Sequence, residues 1–211
     1  MSIHKLYGLI LPLFRRRRMA LFEELFRPNN DTKILDVGGT ETNWGFLKTQ
    51  PRVTLLNIDL EKSEEKGQFK KIPGDGRHLP FPDRSFDIVY SNSVIEHVGT
   101  LEDQRSFARE VQRVGKSYFI QTPNRYFPIE PHFITPFIHF LPRSLQLKAA
   151  PFTLWGIMTK AGSEEAKKMV DSIRLINKKE FADLFKEGQI SHERFLGFSK
   201  SLLAIKSASQ N

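Results

Sequence analysis

The 211-residue sequence contains no cysteine. Disulfides, thiolate metal sites and cysteine nucleophiles are therefore excluded. The compartment stays open on that ground, with the cytoplasm as the default expectation. Long apolar runs are also missing. The N-terminal apolar stretch from Leu6 to Phe14 is shorter than the about twenty residues that cross a bilayer. It is followed, not preceded, by basic residues and has no small-residue cleavage site, so it does not read as a signal peptide. Neither His-Glu-x-x-His nor a comparable ligand spacing occurs, and the spacing supports no metal. Acidic residues are in the minority, 24 against 32 Lys and Arg, for a net charge of +8. Such a balance favours anionic partners: a phosphorylated or carboxylated substrate, RNA, or an anionic membrane face. Arg15 to Arg18 carry part of the excess as one block. They read either as a solvated face or as the charged half of an amphipathic anchor, which makes peripheral membrane contact through residues 1–26 an open expectation.

What is present is organised around Lys33 to Asn43. Ile34, Leu35 and Val37 surround Asp36 and run into Gly38-Gly39, the pattern of a buried parallel strand ending in a tight turn. Glycine allows close backbone approach there, and the backbone donors that open the next helix point into the same space. An acid just before the turn repels a pyrophosphate but suits an ammonium, so a cationic nucleotide cofactor is favoured over NAD. Asp59 closes a second apolar run, where a doubly wound sheet presents an acid to ribose hydroxyls. Asp75, in Gly74-Asp75-Gly76-Arg77, and Asp87 to Asn92 extend the series. All of these strand ends are expected at one edge of the sheet.

Further along, Thr42 to Gln50 is expected as the first crossover helix with Trp44, Phe46 and Leu47 inward, and Glu61 to Gly67 as no more than a helical turn or two. Pro12 is expected to break any single long N-terminal helix. Leu101 to Arg113 has helical spacing, and Ser117 to Thr122 reads as the fifth strand. From Tyr126 to Trp155 the chain is dense in Phe, Ile, Leu and Pro. This stretch is too long for a simple connection and is expected as an insertion over the cofactor edge, or as a satellite core. Ala161 to Leu175 is a helix candidate, and Asn177 is a cap for a helix from Lys178 to Lys186. A terminal hairpin turns around Gly197 to Lys200, and Ser207 to Asn211 is expected to be unstructured.

The segments Ile34-Leu35-Asp36-Val37-Gly38-Gly39, Asn57-Ile58-Asp59-Leu60, Gly74 to Phe81 and Ser85 to Val98 together resemble the class I S-adenosylmethionine-dependent methyltransferases, in particular their small-molecule branch. In order and spacing the likeness covers Lys33 to Thr122. One departure stands out: Thr40 and Thr42 occupy positions where the family usually has glycine. The resemblance implies a single α/β domain over residues 1–211. Its fold would be a Rossmann-like, doubly wound, mostly parallel seven-stranded sheet with a C-terminal antiparallel hairpin. Residues 1–30 would form an N-terminal helical extension and 123–176 a helical lid inserted after strand 5. It also implies S-adenosyl-L-methionine as cofactor. Gly38, Gly39 and Thr40 would lie against it, Asp36 would face its amino-acid end, and Asp59 with Leu60 its ribose. Asp75 with Gly76 would take the adenine, and Ser91 and Asn92 the methionine portion.

Methyl transfer from a sulfonium is an in-line displacement and needs few catalytic groups. For a hydroxyl acceptor a base helps, and His97 is the best-placed candidate, with Glu96 to orient its ring and His132 as a second candidate. Each histidine has an ordinary structural alternative. The expected acceptor is a small or lipid-linked molecule, methylated on oxygen or nitrogen. A nucleic-acid substrate is disfavoured because Ser91-Asn92-Ser93-Val94 stands where base-amino methyltransferases carry an Asn- or Asp-Pro-Pro-Tyr turn. A cofactor-binding protein without catalysis and an RNA methyltransferase are the competing readings. Oligomeric state is not legible.

Overall fold

The computed structural model describes residues 3–207, with side chains from Leu13 onward. Part of the N-terminal apolar stretch and the tail 208–211 lie outside that description. The chain divides into two compact units. The first comprises Met1–Asn92, Glu110–Phe119 and Lys206–Asn211, and the second Ser93–Arg109 and Ile120–Ile205.

The first unit opens with α1 (Ile3–Phe26) and continues through β1 (Lys33–Val37), a 3₁₀ helix (Glu41–Phe46), β2 (Arg52–Asn57), β3 (Glu64–Lys66), β4 (Phe69–Pro73) and β5 (Phe86–Asn92). It also holds the end of α2 (Leu101–Val114) and the start of β6 (Gly115–Pro123). β1 lies between β2 and β5 and runs parallel to both, and β2 is parallel to β4. The chain works outward from β1 to β4 and then returns to β5 on the other side of β1. The crevice at the ends of β1 and β5 is therefore the switch point, where open α/β sheets hold ligands.

The second unit holds the start of α2, the end of β6, the short hairpin β7 (Ile129–Glu130) and β8 (Thr135–Pro136), and helices α3 (Arg143–Ala149), α4 (Leu154–Thr159), α5 (Ser163–Asp171) and α6 (Lys178–Leu184). It ends with β9 (Gln189–Phe195) and β10 (Phe198–Lys206), paired antiparallel. Leu196 and Gly197 both have positive φ, 48° and 84°, the backbone of a two-residue hairpin turn. Asn177 caps α6 in a reciprocal capping box with Glu180, which satisfies two otherwise orphaned donors. Part of the aromatic stretch forms a satellite core of Phe133, Ile138, Ala150, Ala166 and Val170 with Trp155 against it.

The sheet has eight strands, in the order β3-β4-β2-β1-β5-β6-β10-β9, not the expected seven. The extra strand is β3, in the segment expected to be a helical turn. Its residues are all exposed, and it exists because its charges find partners across the ladder. Glu64 lies opposite Lys71 and Glu65 opposite Lys70, with Lys71 Nζ 3.5 Å from Glu64 Oε2. Opposite charges on facing strands stabilise such a pair, and a short charged strand is also a safe edge.

Two further expectations are corrected. The crossover after β1 is a 3₁₀ helix from Glu41 to Phe46, with Asn43 and Trp44 buried and Phe46 exposed. Two β-branched threonines and Gly45 make a poor helix, and one anchored indole replaces the amphipathic stripe. Moreover, α1 runs through Pro12 without interruption. Loss of one intrahelical hydrogen bond does not end a helix whose next turns are fixed by the core. Phe14, Met19 and Phe22 are buried on one face, and Phe22 sits edge-on to Trp44, Tyr90 and Phe119 at 5.8, 5.5 and 5.8 Å between ring centres. Tyr90 stacks on Phe119. The leading helix thus builds the core of the first unit. Phe22→Ala is expected to destabilise the protein by about 3–5 kcal/mol, read from the urea midpoint at constant slope.

Candidate cofactor site and a histidine–carboxylate cluster

Asp36, one residue before the end of β1, is fully buried. Trp44 Nε1 donates to its Oδ2 at 2.9 Å, while Oδ1 has no hydrogen-bond partner. Burial pushes its pKa up to about 7, against the lowering effect of the Trp44 hydrogen bond. The two glycines that follow have separate jobs. Gly38 turns the chain with φ 76°, and its N–H reaches Leu56 O at 2.7 Å. Gly39 roofs the carboxylate: a Cβ there would lie 1.9 Å from Asp36 Oδ2. Thr40 is exposed and its hydroxyl meets that of Thr42 at 3.3 Å.

On the neighbouring strand, buried Ser91 donates to Val37 O at 2.9 Å, and Asn92 Oδ1 accepts from Arg18 Nη1. Arg18 is buried while Arg15, Arg16 and Arg17 are exposed, so the basic block does not share one environment. The signal was helical spacing. Arg18 lies one turn from Phe14 and from Phe22, on the apolar face.

Asp59 follows β2 and is exposed; its backbone N–H donates to Asn57 Oδ1 at 3.2 Å. Leu60 N–H closes the same turn on Asn57 O. Asp75, followed by half-buried Gly76, is engaged within the chain. Arg77 grips its carboxylate through Nε at 2.9 Å and Nη2 at 2.6 Å and holds its pKa below the usual range. Because β4, β2, β1 and β5 are parallel, Asp75, Asp59, Asp36 and Asn92 all belong to one edge of the first unit. Asp36, Gly38, Gly39, Ser91 and Asn92 meet at the switch point itself.

In the second unit, Glu96 is fully buried. Thr122 Oγ1 donates to its Oε2 at 3.0 Å, and Oε1 has no partner. Burial pushes its pKa up to about 7. The His97 ring is oriented by Ser172 O, 3.2 Å from Nδ1, and not by Glu96 as expected. His132 Nδ1 lies 2.7 Å from Glu130 Oε1, and Glu130 Oε2 accepts the Phe133 N–H at 2.7 Å. The two rings meet at right angles with their Nε2 atoms 3.0 Å apart. Desolvation and the neighbouring His132 hold His97 below the usual imidazole range. Desolvation also acts against the His132 charge, but Glu130 offsets it and leaves that pKa raised. The sequence offered both histidines singly; only the fold pairs them.

Residues 35–118 match a family profile described as a methyltransferase domain. The chain is 37% identical to the uncharacterized protein Rv1509 of Mycobacterium tuberculosis over 58% of its own length and 46% of that protein's. It is 34% identical to the sterol 24-C-methyltransferase ERG6B of Gibberella zeae over 39% of its own length and 25% of that enzyme's. It thus spans less than half the length of these curated relatives. An N-methyltransferase of Haemonchus contortus, solved with phosphomonomethylethanolamine and S-adenosylhomocysteine, has a related fold. Its TM-score is 0.54 at 12% identity, covering 83% of this chain and 38% of that one. Residues 35–118 thus match a methyltransferase domain, and the fold is shared with solved methyltransferases.

Asp36 makes a testable contribution to stability. Its carboxyl titrates near 7 when folded against an ordinary value of 3.8. Between those values the folded chain binds more protons than the unfolded one, so stability falls as pH rises from about 4 to about 7. Asp36→Asn keeps an acceptor for the indole and removes the charge. The variant is expected to be more stable than the parent at pH 8 by up to about 4 kcal/mol, from about 1.4 kcal/mol per pKa unit. The gap should close towards pH 4, as measured by urea unfolding across pH.

Proposed function

We propose that the chain transfers the methyl group of S-adenosylmethionine to an oxygen or nitrogen of a small or lipid-linked acceptor. The observation that carries the reading is the buried Asp36 carboxylate with one unpartnered oxygen at the switch point. Such an atom is costly unless a positive group lies nearby, and the donor's α-ammonium and sulfonium are both cationic. The residues present fit the donor in other respects. Asp59 presents an exposed carboxylate suited to a pair of ribose hydroxyls. The Arg18–Asn92 pair places a guanidinium in the same unit, so both signs of an α-amino acid find a counterpart. Gly38, Gly39, Thr40, Leu60 and Ser91 would line the backbone side. Asp75 and Gly76 would border the adenine, with the Arg77 fork holding Asp75 in one orientation.

Bound there, the donor supplies a methyl group on sulfur that leaves with its bonding electrons returned to the sulfur. The chain's own part is to hold the acceptor in line, exclude water and accept the proton that the acceptor releases. His97, Glu96 and His132 are the assigned candidates for that last step. An apolar acceptor is supported by the exposed Phe137 and Phe140 of the second unit, whose rings lie 6.4 Å apart, since exposed apolar patches mark binding surfaces; Tyr126 and Phe152 are exposed in the same unit. The sterol methyltransferase relative points the same way. No helix among the described residues is long and apolar enough to cross a membrane.

Titration calorimetry with S-adenosylhomocysteine tests the reading. One site is expected, and Asp59→Ala should weaken it by the ~1.5–3 kcal/mol of charge-assisted hydrogen bonds. Unchanged affinity would remove the ribose assignment. Binding without methyl transfer to any acceptor in a radiolabelled-donor screen would favour the noncatalytic reading.

A further inference from the structure

Sequence spacing supports no metal, yet the fold brings Glu96, His97 and His132 together, with one potential ligand atom from each lying within 4.8 Å of the others. The hydrogen bonds around them fix what those atoms are. Ser172 O can only accept, so His97 Nδ1 carries the proton. An ionised Glu130 can only accept as well, which protonates His132 Nδ1. Both Nε2 atoms of the neutral rings then carry bare lone pairs, and they face each other at 3.0 Å. Two lone pairs repel at that distance. A proton shared between the rings relieves the repulsion but leaves the buried Glu96 Oε1 without a partner. A cation held by both nitrogens and the carboxylate relieves both defects.

We infer that Glu96, His97 and His132 form a binding site for a first-row divalent transition metal of the zinc, cobalt or manganese kind. Two imidazoles and one carboxylate are an intermediate donor set, better suited to these ions than to Mg²⁺ or Ca²⁺, which favour all-oxygen shells. The dimensions are close. Metal–nitrogen bonds of about 2.1 Å at a tetrahedral angle place two ring nitrogens about 3.4 Å apart, a few tenths more than observed. Bonds of that length span at most about 4.2 Å across a metal, so binding draws the carboxylate inward by a small side-chain rotation. The supporting contacts are already in place. Glu130, itself buried, and the Ser172 carbonyl hold the two Nδ1–H groups, as carboxylates and carbonyls do behind metal-bound histidines. Solvent reaches the site from the exposed side of His97, which gives an ion an entry path. Three protein ligands leave coordination positions open. On the reading of the chain as a methyltransferase, an acceptor oxygen would occupy one of them and lose its proton more readily as a metal-bound ligand.

Cobalt titration of chelator-treated full-length protein, followed by visible d–d absorption and calorimetry without methyl donor, tests the site. One equivalent is expected to bind and be displaced by zinc. His97→Ala and His132→Ala should each weaken binding at least tenfold, and Glu130→Gln by about tenfold or more, as losses behind a metal ligand do. Circular dichroism confirms folding of each variant, and Glu130→Gln keeps the test open if a histidine variant fails to fold. Absence of cobalt absorption and heat would overturn the site and favour proton sharing between the rings. Undiminished binding in the His97→Ala/His132→Ala double variant would overturn it too, by placing the ion elsewhere. S-adenosylhomocysteine affinity measured on the metal-free protein separates failure of this site from failure of the methyltransferase reading.

Discussion

The contact between Asp36 and the indole of Trp44 governs the cofactor edge. A carboxylate with no exposed surface is held by one donated hydrogen bond and roofed by a residue that cannot carry a side chain. Each of these facts requires the others. Without the donor, the burial would be harder to sustain. Without glycine at 39 the carboxylate would have to leave. Trp44 in turn is fixed not by helix propensity, which is poor in that segment, but by its ring contacts with Phe22 and Tyr90. A polar contact at the functional edge therefore depends on an aromatic cluster, and the cluster depends on α1.

That dependence gives α1 a larger role than a covering helix. Phe22 touches rings from the first crossover, from β5 and from β6, so one side chain ties together segments far apart in sequence. One helical turn before it lies Arg18, which reaches Asn92 at the end of β5. The same helix face thus supplies core packing and a cation beside the switch point. A buried guanidinium needs acceptors, and its anchorage between Phe14 and Phe22 keeps it from retreating to solvent with its three neighbours.

Much of the fold was legible because its signals are local. Apolar runs ending in acids mark parallel strands, a Gly pair marks a turn, and Asn177 marks a helix start; each is visible within a few residues. The terminal hairpin was legible as an element, but its turn falls at Leu196-Gly197, with Phe198 to Lys200 already in the last strand, and not over Gly197 to Lys200 as expected. What escaped was set by distance. β3 forms because Lys70 and Lys71 arrive opposite Glu64 and Glu65, which no local propensity encodes. Arg18 looked like its neighbours in a charged block, and only helix phase distinguishes it. His97 and His132 are 35 residues apart, and the Glu96 that adjoins His97 in sequence forms no standard ligand motif with it. A short motif search finds metal sites built on one helix and misses those assembled by a loop and a hairpin.

The two candidate sites share one physical device. Asp36 in the first unit and Glu96 in the second are both fully buried, both keep one oxygen without a partner, and both are pushed up to about 7. A chain selected for stability alone would gain by replacing each with an uncharged isostere, because a buried, half-satisfied carboxylate costs several kcal/mol when ionised. Positive charge is what recovers that cost. At Asp36 the fitting partner is a cationic small molecule, since Trp44 and Gly39 supply one neutral donor and a backbone roof but no countercharge. At Glu96 the neighbours are two imidazole lone pairs, and these accept a metal ion as readily as they accept a proton. The same strained carboxylate therefore points to different ligands because the atoms beside it differ. The neighbours, more than the acid, set the chemistry at each place.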